Sequence, residues 1–268
     1  MSGIVLVGGG NMGSAMLQSW LADSDLCHRG LYVVDPRPLN LANAAFKETR
    51  CYASCKELPS NLAPDAIIFA VKPQAMREVI HAYRKYAASS LFLSVAAGFS
   101  LKSIQEALGN AAIARAMPNL CAIIGKSVTV TCSNEYVKPN QQELISNLLL
   151  AIGSVHFVKN EDILDKVTAI SGSGPAYLFY FVECVTQAAI NLGLDQELAH
   201  RLVTQTTTGA ALLCSGVNTV PRKLRESVTS PNGTTEAAMQ ILTDMNGFES
   251  MLKRAVQAAA TRAQELSR

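Results

Sequence analysis

Two segments of this 268-residue chain have residue types and spacing suited to chemistry. The first, Gly8-Gly9-Gly10-Asn11-Met12-Gly13, fits G-x-G-x-x-G. Glycine-rich turns are common, so the pattern gains meaning from its setting. It follows a short apolar run, residues 3–7, and opens a helical stretch. In that setting it is expected to hold the pyrophosphate of a dinucleotide. Gly8 would permit the tight turn, Gly10 would let the phosphates approach the backbone, and Gly13 would let the helix pack closely on the strand. The phosphates would meet unpaired amide donors at the positive end of the helix, with Asn11 and Met12 alongside. The second segment is Thr229-Ser230-Pro231-Asn232-Gly233-Thr234-Thr235. Backbone amides around Gly233 and Thr234, with the Ser230 hydroxyl, suit a small carboxylate.

Signals for the choice of nicotinamide cofactor conflict. Asp35 lies 22 residues after Gly13, about where a carboxylate would bind the ribose 2′-hydroxyl of NAD. Arg37 follows two residues later and suits the 2′-phosphate of NADP. Each also has an ordinary reading, Asp35 as a turn residue before Pro36 and Arg37 as a solvated loop charge. Ala70-Val71-Lys72-Pro73, Ala96-Ala97-Gly98 and Met117-Pro118-Asn119 each close an apolar run. Ligands of open α/β sheets bind beyond the carboxyl ends of strands. Lys72 is therefore expected to line the cofactor cleft. Small residues such as Ala97 and Gly98 would leave room for a nicotinamide ring, and Asn119 would hydrogen-bond a carboxamide or a substrate.

The elements that must hold these residues follow from hydropathy. Short apolar runs occur at 3–7, 31–34, 66–71, 91–97 and 111–117. They are too short for helices and too uniformly apolar for half-exposed strands, which is the pattern of parallel strands buried on both faces. Residues 14–21, 74–88 and 100–108 have helical spacing between them, with Ser100 as N-cap and Gly109 as stop. Two more strands are predicted at 127–132 and 154–158, joined by a helix at 139–152 with Pro139 near its start. Residues 1–160 therefore read as a doubly wound α/β domain with a mostly parallel sheet. Residues 161–268 read as all-α, with helices at 162–170, 175–192, 196–215, 221–228, 234–245 and 248–266. Gly193 would stop the second of these and Asp195 would cap the third. Nine of the ten residues 176–185 are apolar, the exception being Glu183. A helix apolar nearly all round is buried on all sides, and so small a helical domain is expected to need a second chain to cover it.

The sequence resembles pyrroline-5-carboxylate reductases, the enzymes of the last step of proline synthesis. The stretches that carry the resemblance run in order along nearly the whole chain. They are Gly8–Gly13, Ala70–Pro73, Arg115-Ala116-Met117-Pro118-Asn119, Ser171-Gly172-Ser173-Gly174-Pro175-Ala176-Tyr177, and Thr229–Thr235. The first is shared with many dehydrogenases, whereas the last two together are highly specific. The resemblance implies a Rossmann domain followed by a helical dimerisation domain, with an active site shared by two subunits. It implies hydride transfer from NADPH, or alternatively NADH, to the C=N carbon of the cyclic imine 1-pyrroline-5-carboxylate (C5 of the proline formed), giving L-proline. Thr235 would hydrogen-bond the ring nitrogen and help deliver its proton, and Glu161 would lie near the substrate. Asn232 replaces a glycine usual in the family's Ser-Pro-Gly-Gly turn, Asp35 stands where many NADPH-using relatives carry a small polar or neutral residue, and Asn218 falls where some relatives have a glutamate.

Two alternatives keep the scaffold. β-Hydroxyacid dehydrogenases use a lysine on a helix of the second domain, but Thr186–Asn191 offers none. A non-catalytic NADP-binding sensor would have no need of the Ser230–Thr235 loop.

Other features narrow the function by exclusion. Hydrophobic residues are 49% and charged residues 16%, so the chain can bury a core. The net charge is +2 and no basic tract exceeds two residues, which argues against nucleic-acid binding. Apolar stretches are broken well before the ~18–20 residues a bilayer span requires. The N-terminus does not look like a signal peptide, so a cytoplasmic protein is expected. The seven cysteines, with no C-x-x-C, read as reduced thiols. The four histidines are scattered and nothing asks for a metal.

Overall fold

The computed structural model describes residues 1–37, 49–216 and 220–267, so Asn218 lies outside the described residues. The first elements are β1 (Ile4–Val7), α1 (Asn11–Ala22), the short α2 (Ser24–Cys27), β2 (Leu31–Val34), β3 (Arg50–Tyr52) and β4 (Ala66–Phe69). There follow α3 (Pro73–Val79), β5 (Leu91–Ser94), α4 (Leu101–Leu108), β6 (Ala112–Met117), β7 (Ser127–Ser133), α5 (Pro139–Leu150) and β8 (Gly153–Phe157). The strands form one sheet in the order β3-β2-β1-β4-β5-β6-β7-β8. Every pair is parallel except β6 with β7. This is the mostly parallel, Rossmann-like sheet expected from the apolar runs.

Successive strand side chains point to opposite faces, and both faces of the central strands β1, β2, β4, β5 and β6 are covered. Ile4 and Leu6 of β1 join Met16, Leu17 and Trp20 of α1 and Leu148 of α5 on one face. Val5 and Val7 join Phe69, Tyr83, Phe92 and Ile104 on the other. Trp20 is fully buried, and its indole N–H donates to the Leu148 carbonyl at 2.8 Å, so its polar atom is satisfied.

Local chemistry sets several boundaries as expected. The Ser100 hydroxyl accepts from the Ser103 amide at 3.1 Å at the start of α4, and Gly109 ends that helix at φ +83°. Pro139 occupies the first turn of α5. The helix expected over 74–88 differs: beyond Val79 it tightens into a 3-10 helix, Ile80–Tyr86. Ile80, Tyr83 and Tyr86 are all buried at a spacing of three, which a helix of 3.0 residues per turn keeps on one face. β3 is an additional edge strand. Its three residues, one an arginine, form no apolar run.

The chain divides into two compact units, Met1–Ser173 with Ala259–Arg268, and Gly174–Ala258. The first unit adds α6 (Ile163–Val167), which passes into a π-turn at Thr168–Gly172. The second holds α7 (Gly174–Asn191), α8 (Gln196–Gly216), α9 (Pro221–Ser227) and α10 (Thr234–Leu242). The last helix, α11 (Phe248–Ser267), gives its start to the second unit and its end to the first. Asp195 caps α8 by accepting from the Glu197 and Leu198 amides at 3.1 and 3.0 Å. α7 packs on α8, and Phe181 meets Phe248 with ring centroids 6.3 Å apart. No residue of α7 is buried, and Phe179 and Tyr180 are 57% and 66% exposed. Among the described residues, no helix is long and apolar enough to cross a membrane.

Candidate active site

The glycine loop lies between β1 and α1, at the carboxyl edge of the sheet. Gly8 has φ +100°, and a Cβ there would come within 2.8 Å of the Ala70 carbonyl and of Val71. The turn thus requires both the left-handed backbone and the missing side chain, and it ties the loop to Ala70-Val71 at the end of β4. A Cβ on Gly13 would overlap the Gly8 carbonyl oxygen. A Cβ on Gly10 would meet nothing within 4 Å, so this backbone faces open space. Gly10 is the N-cap of α1 and no side chain caps the helix. The first amides of α1, from Asn11 and Met12, are left for an anionic ligand. A pyrophosphate fits this surface. Lys72 is exposed as the N-cap of α3, with Pro73 in its first turn.

Asp35, at the end of β2, is occupied. Its Oδ2 accepts from the Gly9 amide at 2.8 Å and from Arg37 Nη2 at 3.3 Å. Its Oδ1 accepts from the Arg37 amide at 2.9 Å and from Arg37 Nε at 3.3 Å. The Asp35 side chain is 5% exposed, whereas that of Arg37 is 77% exposed. Burial pushes the Asp35 carboxyl up, but the hydrogen bonds from Arg37 and Gly9 and the Arg37 charge outweigh it and hold the group below the usual range. The two conflicting signals therefore have different placements: Asp35 braces the glycine loop and Arg37, and Arg37 is the group presented outward. Beside them is a pocket of about 280 Å³ lined by Asp35, Pro36 and Arg37 and by Cys51, Tyr52 and Ala53 from β3 and its end. Sequence reasoning missed the β3 residues, because a three-residue polar edge strand leaves no hydropathy signature.

The remaining first-unit residues sit at the carboxyl ends of β5 and β6. Ala97 is half-buried, and Gly98 takes φ +70° with its α-carbon face against the Leu266 carbonyl, where a Cβ would come within 2.7 Å. Asn119 is buried, and its Oδ1 accepts from the Cys121 amide at 3.1 Å, which leaves its amide nitrogen for another partner. Glu161 is half-buried, with Oε1 accepting from the Leu101 amide at 2.8 Å and paired with the buried Arg115 of β6. Sequence alone marks Arg115 only as part of the family-like stretch 115–119, and does not foretell its pairing with Glu161.

In the second unit, Gly233 is the N-cap of α10 and donates to the Ser230 carbonyl at 3.0 Å. Asn232 has φ +58°, the one non-glycine residue with positive φ among the described residues. Asparagine tolerates this region better than most residues, so the turn keeps a glycine-like form. Glu236 reaches back to accept from the Asn232 amide at 2.8 Å and pins the turn to the helix. No side chain caps α10, leaving the Thr234 and Thr235 amides unpaired within the helix. Ser230 and Thr234 are exposed and Thr235 is half-buried. Among the described residues, no group of three histidine, cysteine or carboxylate side chains could hold a metal ion.

A family model described as pyrroline-5-carboxylate reductase dimerisation matches residues 161–266. Another, described as NADP oxidoreductase, coenzyme F420-dependent, matches residues 3–98. The pyrroline-5-carboxylate reductase of Synechocystis sp. is 33% identical over 263 residues, covering 98% of this chain and 97% of that one. A pyrroline-5-carboxylate reductase structure from Coxiella burnetii aligns with TM-score 0.87 at 33% identity, over 100% of this chain and 99% of that one. The Plasmodium falciparum pyrroline carboxylate reductase with NADP bound aligns with TM-score 0.86 at 27% identity, over 99% and 98%. By these full-length matches, the chain belongs to the pyrroline-5-carboxylate reductase family.

Proposed function

We propose that this protein reduces the C=N bond of 1-pyrroline-5-carboxylate to give L-proline, with NADPH as the preferred donor and NADH as a second one. The observation that carries the reading is the full-length match to reductases of that name, in a chain whose glycine loop and 230–235 turn both keep the required backbone. Bound NADPH would supply the hydride to the C=N carbon, which becomes C5 of proline, while the π electrons of the C=N bond move to nitrogen. Gly8 and Gly13 would shape the turn, the Gly8 amide being engaged by the Val34 carbonyl, while Gly10 leaves room for the pyrophosphate and the amides of Asn11 and Met12 hold it. Arg37 would pair with the 2′-phosphate, braced by Asp35. Ala70, Val71, Lys72 and Pro73 would border the cofactor, Ala97 and Gly98 would make room for the nicotinamide, and Asn119 would offer its amide nitrogen.

The substrate side uses few groups. The Ser230 hydroxyl and the Thr234 amide would bind the carboxylate, the Gly233 amide being engaged by the Ser230 carbonyl, with Glu161 stationed near the substrate. Thr235 would hydrogen-bond the ring nitrogen and relay to it a proton from solvent, which the amine product requires. An imine needs no nucleophile, so orientation and charge stabilisation suffice. Residues 1–160 would serve the nucleotide, and 161–268 the substrate and a second copy of the chain. The match to a dimerisation family and the uncovered apolar face of α7 support that partner. A cytoplasmic location accords with seven free thiols.

The test is direct. Purified protein mixed with pyrroline-5-carboxylate should consume NADPH, and NADH more slowly, with proline as product. Consumption of neither would remove the reductase reading. Tight NADPH binding without turnover would favour a sensor.

A further inference from the structure

We infer that Arg115 is a positioning residue, and that its pair with Glu161 sets the spacing of the two loops beside the nicotinamide. Arg115 is 5% exposed within β6, two residues before Met117 ends the strand. Glu161 lies 46 residues further on, and its Oε1 takes Arg115 Nη1 together with the amide of Leu101, the first residue of α4. One carboxylate oxygen therefore joins three segments: the loop that follows β5, the end of β6, and the start of the stretch leading into α6.

The far end of that stretch is also seated on β6. A Cβ on Gly172 would come within 2.8 Å of the Met117 methyl, so the π-turn lies directly on the strand end. Segment 161–172 is thus fastened to β6 at both ends, by charge at Glu161 and by close contact at Gly172. Among the described residues, neither Arg115 nor Glu161 forms another ion pair. The Cys132 thiol, opposite Arg115 in the β6–β7 register, is pushed up to about 11 by burial and by Glu161, against the pull of Arg115. It stays protonated and does not compete for the guanidinium.

A buried ion pair is a weak device for stability, since its desolvation offsets most of its Coulomb gain. It is a good device for geometry, because one partner without the other leaves an unpaired charge, so the segments are held together or not at all. The loops it joins, 97–101 and 117–119, are those that the reductase reading sets beside the nicotinamide. The pyrophosphate end is held independently, by the glycine loop and Asp35. Loss of the pair should therefore disturb hydride transfer and leave nucleotide affinity nearly intact.

The inference rests on the reductase reading, so its test has an arm that does not depend on turnover. With NADPH bound, hydrogen exchange at 95–101 and 117–121 should quicken in Arg115→Met and in the double variant Arg115→Met/Glu161→Gln, while 8–13 keeps its protection. In the kinetic arm, Arg115→Met, Glu161→Gln and the double variant should each lose about 10- to 100-fold in kcat, the scale of a small misplacement of reacting groups. The NADPH Kd should stay within about twofold, as expected for an independent site. The double variant should fall no further than either single change. It carries no unpaired charge, so it should melt near the wild type even if Glu161→Gln folds poorly. Recovery of kcat together with melting temperature in the double variant would reduce the pair to a structural role and overturn the inference. So would unchanged exchange at both loops, or a raised substrate KM in Glu161→Gln that Arg115→Met does not share, which would make Glu161 a direct substrate contact. A wild type that leaves NADPH untouched would end the reductase reading, and the exchange arm would still decide whether the pair clamps the loops.

Discussion

The sheet unit and the helical unit bury their apolar residues to very different degrees. In Met1–Ser173 the central strands are covered on both faces, and even the indole N–H of Trp20 finds a partner inside. In Gly174–Ala258 only Ala199 and Val203 are buried among the described residues, while α7 turns Leu178, Phe179, Tyr180 and Phe181 outward. The centre of the sheet unit is complete within a single chain, and the helical unit is not. Both follow from composition: short apolar runs between amphipathic helices make a closed α/β layer, whereas a helix apolar on every side needs neighbours on every side. The nucleotide functions proposed here fall in the complete unit, and the substrate-binding turn in the incomplete one. Proline formation should therefore depend on assembly in a way that NADPH binding does not.

The largest expected effect tests this contrast. Phe179→Glu places a charge on the exposed face of α7, where burial of the wild-type ring against a second copy would be worth about 1.5–3 kcal/mol per side chain, counted twice across a symmetric interface. The variant should sediment as a monomer and lose proline formation, while the NADPH titration of the sheet unit stays near wild type. A variant that remains dimeric and active would place the partner surface elsewhere. Next in size is Thr235→Val, which removes a hydroxyl at nearly constant volume. Loss of a positioned proton donor costs about 100-fold or more in kcat, and the effect should be confined to kcat, with Kd for NADPH and oligomeric state unchanged. Turnover at the wild-type level would remove Thr235 from the proton path.

What could be read from sequence divides along local and non-local lines. The three motif glycines were legible with separate roles because each answers a demand of adjacent backbone: a positive φ at Gly8, open space at Gly10, overlap with Gly8 at Gly13. Ser100, Gly109, Pro139, Gly193 and Asp195 were legible for the same reason, since a cap or stop depends on neighbours within one turn. The β3 strand was not, because an edge strand of three residues is defined by its pairing with β2 and carries no pattern of its own. The partner of Arg115 was hidden because the 46 residues between it and Glu161 close up only when the sheet forms. The conflict between Asp35 and Arg37 stayed open until geometry gave one carboxylate two amides and a guanidinium at once. Thr235 was singled out through the family resemblance, as a threonine in the first turn of a helix has no chemical signature by itself.

A moderate effect is expected at Arg37, within the complete unit. Its guanidinium is exposed and already oriented by Asp35. Arg37→Ala should raise KM for NADPH about tenfold, the worth of one charge-assisted hydrogen bond, and leave KM for NADH unchanged. Equal losses with both cofactors would mean that Arg37 supports the loop and does not read the 2′-phosphate.

The smallest effect is expected at Asp35, and it shows how far the sheet unit is held by its own contacts. The carboxyl lies below its ordinary value: burial opposes ionisation, but the Arg37 side chain, the Arg37 and Gly9 amides and the Arg37 charge outweigh it. A group whose pKa is depressed in the folded state adds stability that is fully present above its unfolded value, about 3.9, and is lost as pH falls through the folded value. The contribution should therefore be constant near neutrality and disappear in acid, below about pH 4. Asp35→Asn keeps the size and one acceptor oxygen for the Gly9 amide, and the arginine it releases is already solvated, where an ion pair is worth little. At pH 7 the variant should melt close to wild type and bind NADPH slightly more weakly. Below the carboxylate range the two melting curves should converge, because the wild-type group is then neutral as well. A gap that instead widened with acid would mean that Asp35 is protonated in the native state at neutral pH, and that the glycine loop is held by something other than its charge.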